Sequence, residues 1–216
     1  MFFSSTDYQP PSSNQFDSSF GWLVRPTKPE DVAGVAEILA DSFHSREGFF
    51  GWAYPLLRLG IYEDIRSRQR SSLQHHICLV AVEAKATTRN CYDISDKVAG
   101  TVEMTVRSPF LGFGDFYNCT HHFSRQYPYL SNLAVDSNYR RQGVAIQLLI
   151  NCERIALSWG FYDLYLHVLE NNDAAKHLYF KLGYQLHSSD TSWSARLLKR
   201  PQQLLLHKHL RPTATP

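Results

Sequence analysis

Residues 136–145 read Asp-Ser-Asn-Tyr-Arg-Arg-Gln-Gly-Val-Ala, and their types and order suit the binding of an anion. Tyr127–Val135 before them is strand-like. Gly143–Trp159 after them carries Leu148, Leu149, Cys152, Ile155, Ala156 and Trp159 at helical spacing, with Gly160 as terminator. The basic turn therefore sits where a helix starts. N–H groups there have no intrahelical acceptor, and the helix dipole favours negative charge. Gly143 lacks a Cβ, so a phosphate can come close to the backbone. Arg140 and Arg141 supply charge for a pyrophosphate. Taken alone, the segment also reads as an ordinary basic turn ahead of a helix.

The elements that would position this turn follow from spacing. Trp22–Arg25 is a first strand. Thr27 to Glu30 has the T-x-x-E form of a capping box, and Val32, Val35, Ala36, Leu39 and Phe43 continue it as an amphipathic helix. Gly51–Arg70 is a second helix with a basic end. His76–Glu83 is a buried strand. Val98–Arg107 alternates, with Val102, Met104 and Val106 on one face and Thr101, Glu103 and Thr105 on the other. Ser108–Gln126 is a long loop suited to a substrate wall. Asp163–Val168 is a strand. Asn172 caps a short helix carrying Ala175, Leu178, Tyr179 and Leu182, which Gly183 ends. Tyr184–Ser188 and a segment within Ser194–His207 close the order. The fold class is α/β: a mixed sheet of about seven strands with four helices on its two faces.

Composition bounds the function. The chain has 216 residues, 44% hydrophobic and 19% charged, enough for one domain over 21–216 behind a polar tail at 1–20 that reads as disordered. A formal net charge of +2 argues against nucleic-acid binding, which needs a strongly basic face. No apolar run approaches the ~18 to 20 residues that span a bilayer, so no membrane partner is expected. Cys78, Cys91, Cys119 and Cys152 lack metal-ligand spacing, so no metal is expected, and their use fits a reducing compartment. Lys and Arg are absent before Arg25, unlike a secretory signal or an Arg-rich transit peptide. The expectation from this is a cytoplasmic protein, a monomer or weak homodimer.

Two spacings carry a resemblance. Arg140-x-x-Gly143-x-Ala145 resembles the Q/R-x-x-G-x-G/A motif of the GNAT superfamily of N-acetyltransferases. Asn172-x-x-Ala175-x-x-Leu178-Tyr179-x-x-x-Gly183-Tyr184 resembles that family's N-x-x-A-x-x-L-Y-x-x-x-G-F/Y. The likeness runs from Tyr129 to Tyr184 and extends more weakly over Trp22–Arg107. It implies acetyl-CoA as co-substrate and two parallel strands, Tyr127–Val135 and Asp163–Val168, splayed apart, usually with a bulge in the first. It also implies that Leu133, Ala134 and Val135 offer a backbone edge to the pantetheine arm. Arg140, Arg141, Gln142, Gly143, Val144 and Ala145 would hold the pyrophosphate, and Asn172 and Ala175 would lie along the arm. Tyr179 would donate its O–H to the departing thiolate. The chemistry is consistent, since a thiol has a pKa of about 8.5 and a phenol about 10.

The acceptor must be a neutral amine. At pH 7 deprotonation costs about 1.4 kcal/mol for an α-amine of pKa ~8 and about 4.6 kcal/mol for lysine. Many relatives place a carboxylate on the strand before the turn, but none lies between Tyr127 and Val135 here. Tyr129 and His167 resemble the Tyr and His pair that orders a catalytic water in one eukaryotic amino-terminal acetyltransferase type. Glu103 is a second base candidate. The plainer alternatives are a satisfied sheet histidine and an exposed sheet glutamate. Trp193, in the loop 188–195, sits where the family closes over a peptide. The run Tyr129–Ala145 is similar to cyanobacterial and plastid-type members associated with acetylation of protein α-amines and lysines. A protein amine is thus the expected acceptor; a small-molecule amine, or a non-catalytic acetyl-CoA-binding module, is the alternative.

Overall fold

Seven strands join in one sheet of order β1-β2-β3-β4-β5-β7-β6, with β1 Trp22–Pro26, β2 His76–Glu83, β3 Val98–Arg107, β4 Tyr127–Val135, β5 Asp163–Leu169, β6 Gln185–Ser189 and β7 Gln203–His209. Among the described residues four helices flank it: α1 Val32–Phe43, α2 Tyr54–Arg70, α3 Val144–Ser158 and α4 Asp173–Lys181. The structure is a computed structural model and describes residues 21–43, 54–70, 75–83, 97–108, 126–189 and 202–211. The 1–20 tail, Cys91, Cys119, Trp193 and nearly all of the 108–126 loop lie outside the described residues.

Every neighbouring pair in the sheet is antiparallel except β4 with β5. The sheet buries both faces, each with its own apolar set. Val32, Val35, Ala36, Ile38 and Leu39 of α1, with Ile65 of α2, cover Val80, Val82, Val98 and Ala134. Leu148, Leu149, Cys152, Ile155 and Ala156 of α3 pack with Leu79, Ala81, Val102, Met104, Leu130, Leu164 and Leu166 on the other face, where α4 contributes Tyr179. Successive strand residues point to opposite faces, so the alternating runs in the sequence map onto these two cores.

One local expectation is shifted by a residue. The cap at the first helix is made by Asp31, whose carboxylate accepts the Lys28 N–H at 2.7 Å. Thr27 instead bonds sideways to β2, with both its N–H and its Oγ1 on the Cys78 carbonyl at 2.9 and 3.0 Å. Asp31 wins the role because it also pairs with Arg25 of β1 at 2.6 Å, so one buried carboxylate ties the strand to the helix start.

Helix α3 sits close to the sheet because residue 100 is glycine. A Cβ there would lie 2.8 Å from Val144 Cγ1, 3.0 Å from the Ala134 carbonyl oxygen and 3.3 Å from Leu148 Cδ1. The contact fixes the height of the helix start over β3 and β4. Gly100→Ala is expected to lower stability by about 1–3 kcal/mol through overpacking. Chemical denaturation measures it; an unchanged midpoint would show that α3 can lift without cost.

Candidate functional site

The site grows from a failure of strand pairing. β4 and β5 pair at two positions, Tyr129 with Tyr165 and Leu130 with Leu166. On the other edge of β4, Glu103 pairs with Ser131 but Thr101 pairs with Ala134. Two steps on β3 thus match three on β4, which is a β-bulge with one extra residue. Asn132 lies in it with φ +54, in the left-handed region that asparagine tolerates better than most residues. The bulge reverses the pleat, so Leu130 faces the α3 core and Ala134 the α1 core although four residues separate them. After Leu130 the strands part. Among the described residues, the β5-side edge of Leu133, Ala134 and Val135 has no strand partner.

Glu103 holds the bulge. Its carboxylate accepts from Asn132 Nδ2 at 2.7 Å and from Arg68 Nη1 of α2 at 3.0 and 2.9 Å, and it contacts His76 Nε2 at 2.7 Å. Burial by itself would raise this carboxyl. The His76 hydrogen bond and the Arg68 charge outweigh that and bring it down to about 2. Glu103 is only 6% exposed, so the exposed-glutamate alternative does not hold. Helices α1 and α2 cover the polar face on which it sits, and Val35, Leu39 and Ile65 line the small cavity beside it. Nothing in the sequence spacing links Arg68, His76 and Asn132, which are brought together by three different elements.

Beside the short paired stretch that ends at the gap, Tyr129 Oη and His167 Nδ1 are 2.8 Å apart. The parallel register puts Tyr129, Tyr165 and His167 on one face of the sheet. Tyr129 is 8% exposed. Tyr179 approaches from α4 on the opposite face and is 7% exposed. Its phenol is pushed up to about 12, chiefly by burial and then by the neighbouring Tyr129. Tyr129, His167 and Tyr179 are therefore gathered at the gap. Glu103 belongs to the bulge network instead.

The turn beyond β4 is built on its own hydrogen bonds. Asp136 Oδ1 accepts from Asn138 N and Nδ2 at 2.8 and 2.9 Å, and Gln142 Nε2 donates to the Asn138 carbonyl at 3.0 Å. Arg141 at φ +64 and Gly143 at φ +83 curl the backbone. The first amide of this region to find a helical acceptor is Gln147 N–H, on Gly143 O at 3.1 Å, so the amides of Val144, Ala145 and Ile146 have no intrahelical partner. Arg140, Arg141 and Gln142 are exposed. Val144 can contribute its backbone only, because its side chain is buried against Gly100. The β1 residue Trp22 pins the turn: its indole N–H donates to the Gln142 carbonyl at 3.0 Å and its ring meets Tyr139 edge-on at 5.4 Å. On α4, Asn172 Oδ1 accepts the Ala175 N–H at 3.1 Å, as its capping position requires. Among the described residues no group of three or more His, Cys, Asp or Glu is placed to hold a metal ion.

Comparison with known proteins gives this geometry a context. Residues 60–184 match the model of the "Acetyltransferase (GNAT) family". The chain is similar to "GCN5-related N-acetyltransferase 7, chloroplastic" of Arabidopsis thaliana, with 45% identity over 36% of this chain and 28% of that protein. It is similar to "GCN5-related N-acetyltransferase 10, chloroplastic" of the same plant at 26% identity, over 88% of this chain and 73% of that protein. Among solved structures, the ribosomal-protein-S18-alanine N-acetyltransferase from Escherichia coli shares the fold, with TM-score 0.56 and 16% identity over 89% of this chain and 96% of that one. The expectation of a cytoplasmic protein is corrected here. These two plant relatives and three more from the same species are all named chloroplastic, which points to a plastid.

The bulge network makes a pH prediction. The Glu103 carboxyl is held below its unfolded value, so its stabilisation is complete above about pH 5 and is lost as pH falls toward 2. Its contribution is on the order of 3 kcal/mol. Glu103→Gln should flatten the acid limb of a stability-against-pH curve in that window. Parallel curves for the two proteins would mean that the carboxylate gains nothing from the network.

Proposed function

The chain belongs to the Acetyltransferase (GNAT) family, and from that premise we propose that it transfers the acetyl group of acetyl-CoA to a protein amine in a plastid, foremost an N-terminal α-amine and also lysine, by direct attack in a ternary complex. Acetyl-CoA, when bound, supplies an activated thioester as acyl donor. The residues present fit that molecule. Leu133, Ala134 and Val135 offer strand-edge backbone groups to the amides of its arm, as in strand addition. The amides from Gly143 to Ala145, with Arg140, Arg141 and Gln142 at the exposed rim, suit its pyrophosphate. Asn172 and Ala175 flank the arm from the start of α4.

The Tyr129–His167 contact carries the proposal. With Nδ1–H donating to Tyr129 Oη, His167 Nε2 keeps its lone pair and can take the amine proton, directly or through a water. An imidazole base suits an α-amine, whose deprotonation at pH 7 costs about 1.4 kcal/mol. Glu103 near 2 is too weak a base for the task. Tyr179 faces the departing sulfur. With its phenol near 12 and a thiol at about 8.5, full proton transfer is uphill by about 5 kcal/mol, so Tyr179 stabilises by hydrogen bonding and stays protonated. The guanidinium of Arg107 beside Tyr129 disfavours a polycationic small amine.

Calorimetric titration with acetyl-CoA, followed by thiol release on peptides bearing only a free α-amine or only a free lysine, tests this. Saturable binding with faster release on the α-amine panel is expected. Binding without release on either panel would remove the protein acceptor, and absence of binding would overturn the cofactor site. Tyr179→Phe should lower kcat by about 100-fold with the acetyl-CoA Kd unchanged; wild-type turnover in that variant would refute its role.

A further inference from the structure

Arg107 ends β3 beside the Tyr129–His167 pair, and its guanidinium carbon lies 3.5 Å from the centre of the Tyr129 ring. The register pairs Arg107 with Tyr127 and Thr105 with Tyr129, so the side chain reaches diagonally along the sheet to cover the phenol. Arg107 is half-buried, and among the described residues no carboxylate pairs with it. The other half-buried arginines with described side chains differ in this respect: Arg25 pairs with Asp31, and Arg68 with Glu103 and Asp64.

The neighbouring face of β5, β7 and β6 does not supply the missing charge. Tyr165 stacks on His207 at 4.7 Å and meets His187 edge-on at 5.7 Å. The carboxylate of Asp163 is already engaged by His207 and His209, at 2.8 and 3.0 Å. A guanidinium lying over a ring keeps its N–H edge for two parallel bonds to a carboxylate. Taking a half-buried cation part-way out of water without an anion is costly, and an anionic ligand would offset that cost.

We propose that Arg107 is a specificity residue that binds a carboxylate of the acceptor chain next to the reacting amine, so that protein N-termini with an acidic side chain in their first two residues are preferred. This rests on the assignment of Tyr129 and His167 to the acceptor amine. Arg107 also supports the Tyr129 ring, so its loss can slow every substrate, and the informative quantity is a ratio of two substrates on one protein.

The test uses paired peptides with a free α-amine, identical except for Asp or Asn at the second residue, and reads kcat/KM by thiol release. The wild-type ratio of Asp to Asn peptide should be on the order of tenfold or more, as for a charge-assisted hydrogen bond. Arg107→Gln should bring it near one, and Arg107→Lys should recover part of it. A wild-type ratio near one, or a ratio unchanged in Arg107→Gln, overturns the inference while leaving the acceptor assignment standing. If the wild-type protein binds acetyl-CoA yet acetylates neither peptide, the acceptor assignment falls and the inference with it.

Discussion

One extra residue in β4 governs this molecule. Among the described residues, the bulge at Asn132 ends the one parallel pairing of the sheet after two positions and leaves the β5-side edge of β4 beyond Leu130 without a strand partner. Unpaired edges are normally avoided, since their N–H and C=O groups seek partners. A linear ligand carrying amides can satisfy them. The gap between β4 and β5 is thus a defect in the sheet with unpaired groups on its edge.

Holding such a defect open requires an opposing attraction, and Glu103 provides it. A buried carboxylate without partners would be neutral or would unfold its surroundings. Here Arg68, His76 and Asn132 each give it a hydrogen bond or charge, and the bonds come from α2, β2 and the bulge itself. Closing the gap by a register slip would move Asn132 away from Glu103 and leave an unsatisfied charge in the α1 and α2 core. The polar network therefore selects one register, a role that apolar packing alone fills poorly because Leu, Val and Ala accept many neighbours.

The two ends of the gap are tied to the rest of the fold by separate contacts. At the end toward α3, Gly100 lets the helix settle on β3, and Trp22 from the first strand ties down the turn. At the paired end, Tyr129 is held between the His167 imidazole and the Arg107 guanidinium. Tyr179 comes from a helix whose start is capped by Asn172. Groups on opposite faces of one sheet thus meet at the opening where β4 and β5 part.

Residue spacing was enough to find the seven strands, the four helices and the turn before α3, because strand and helix periodicity and Gly or Asn caps are local signals. Gly160 and Gly183, read as helix terminators, both adopt positive φ. The pairing of Tyr129 with His167 was legible only through resemblance, since 38 residues separate them and parallel register decides their contact. Tertiary structure alone revealed that Glu103 is a buried clamp, that the cap shifts from Thr27 and Glu30 to Lys28 and Asp31, and that Arg107 lies on Tyr129. Each of these depends on a partner far away in the chain, and a side chain's charge or exposure is set by what folds over it.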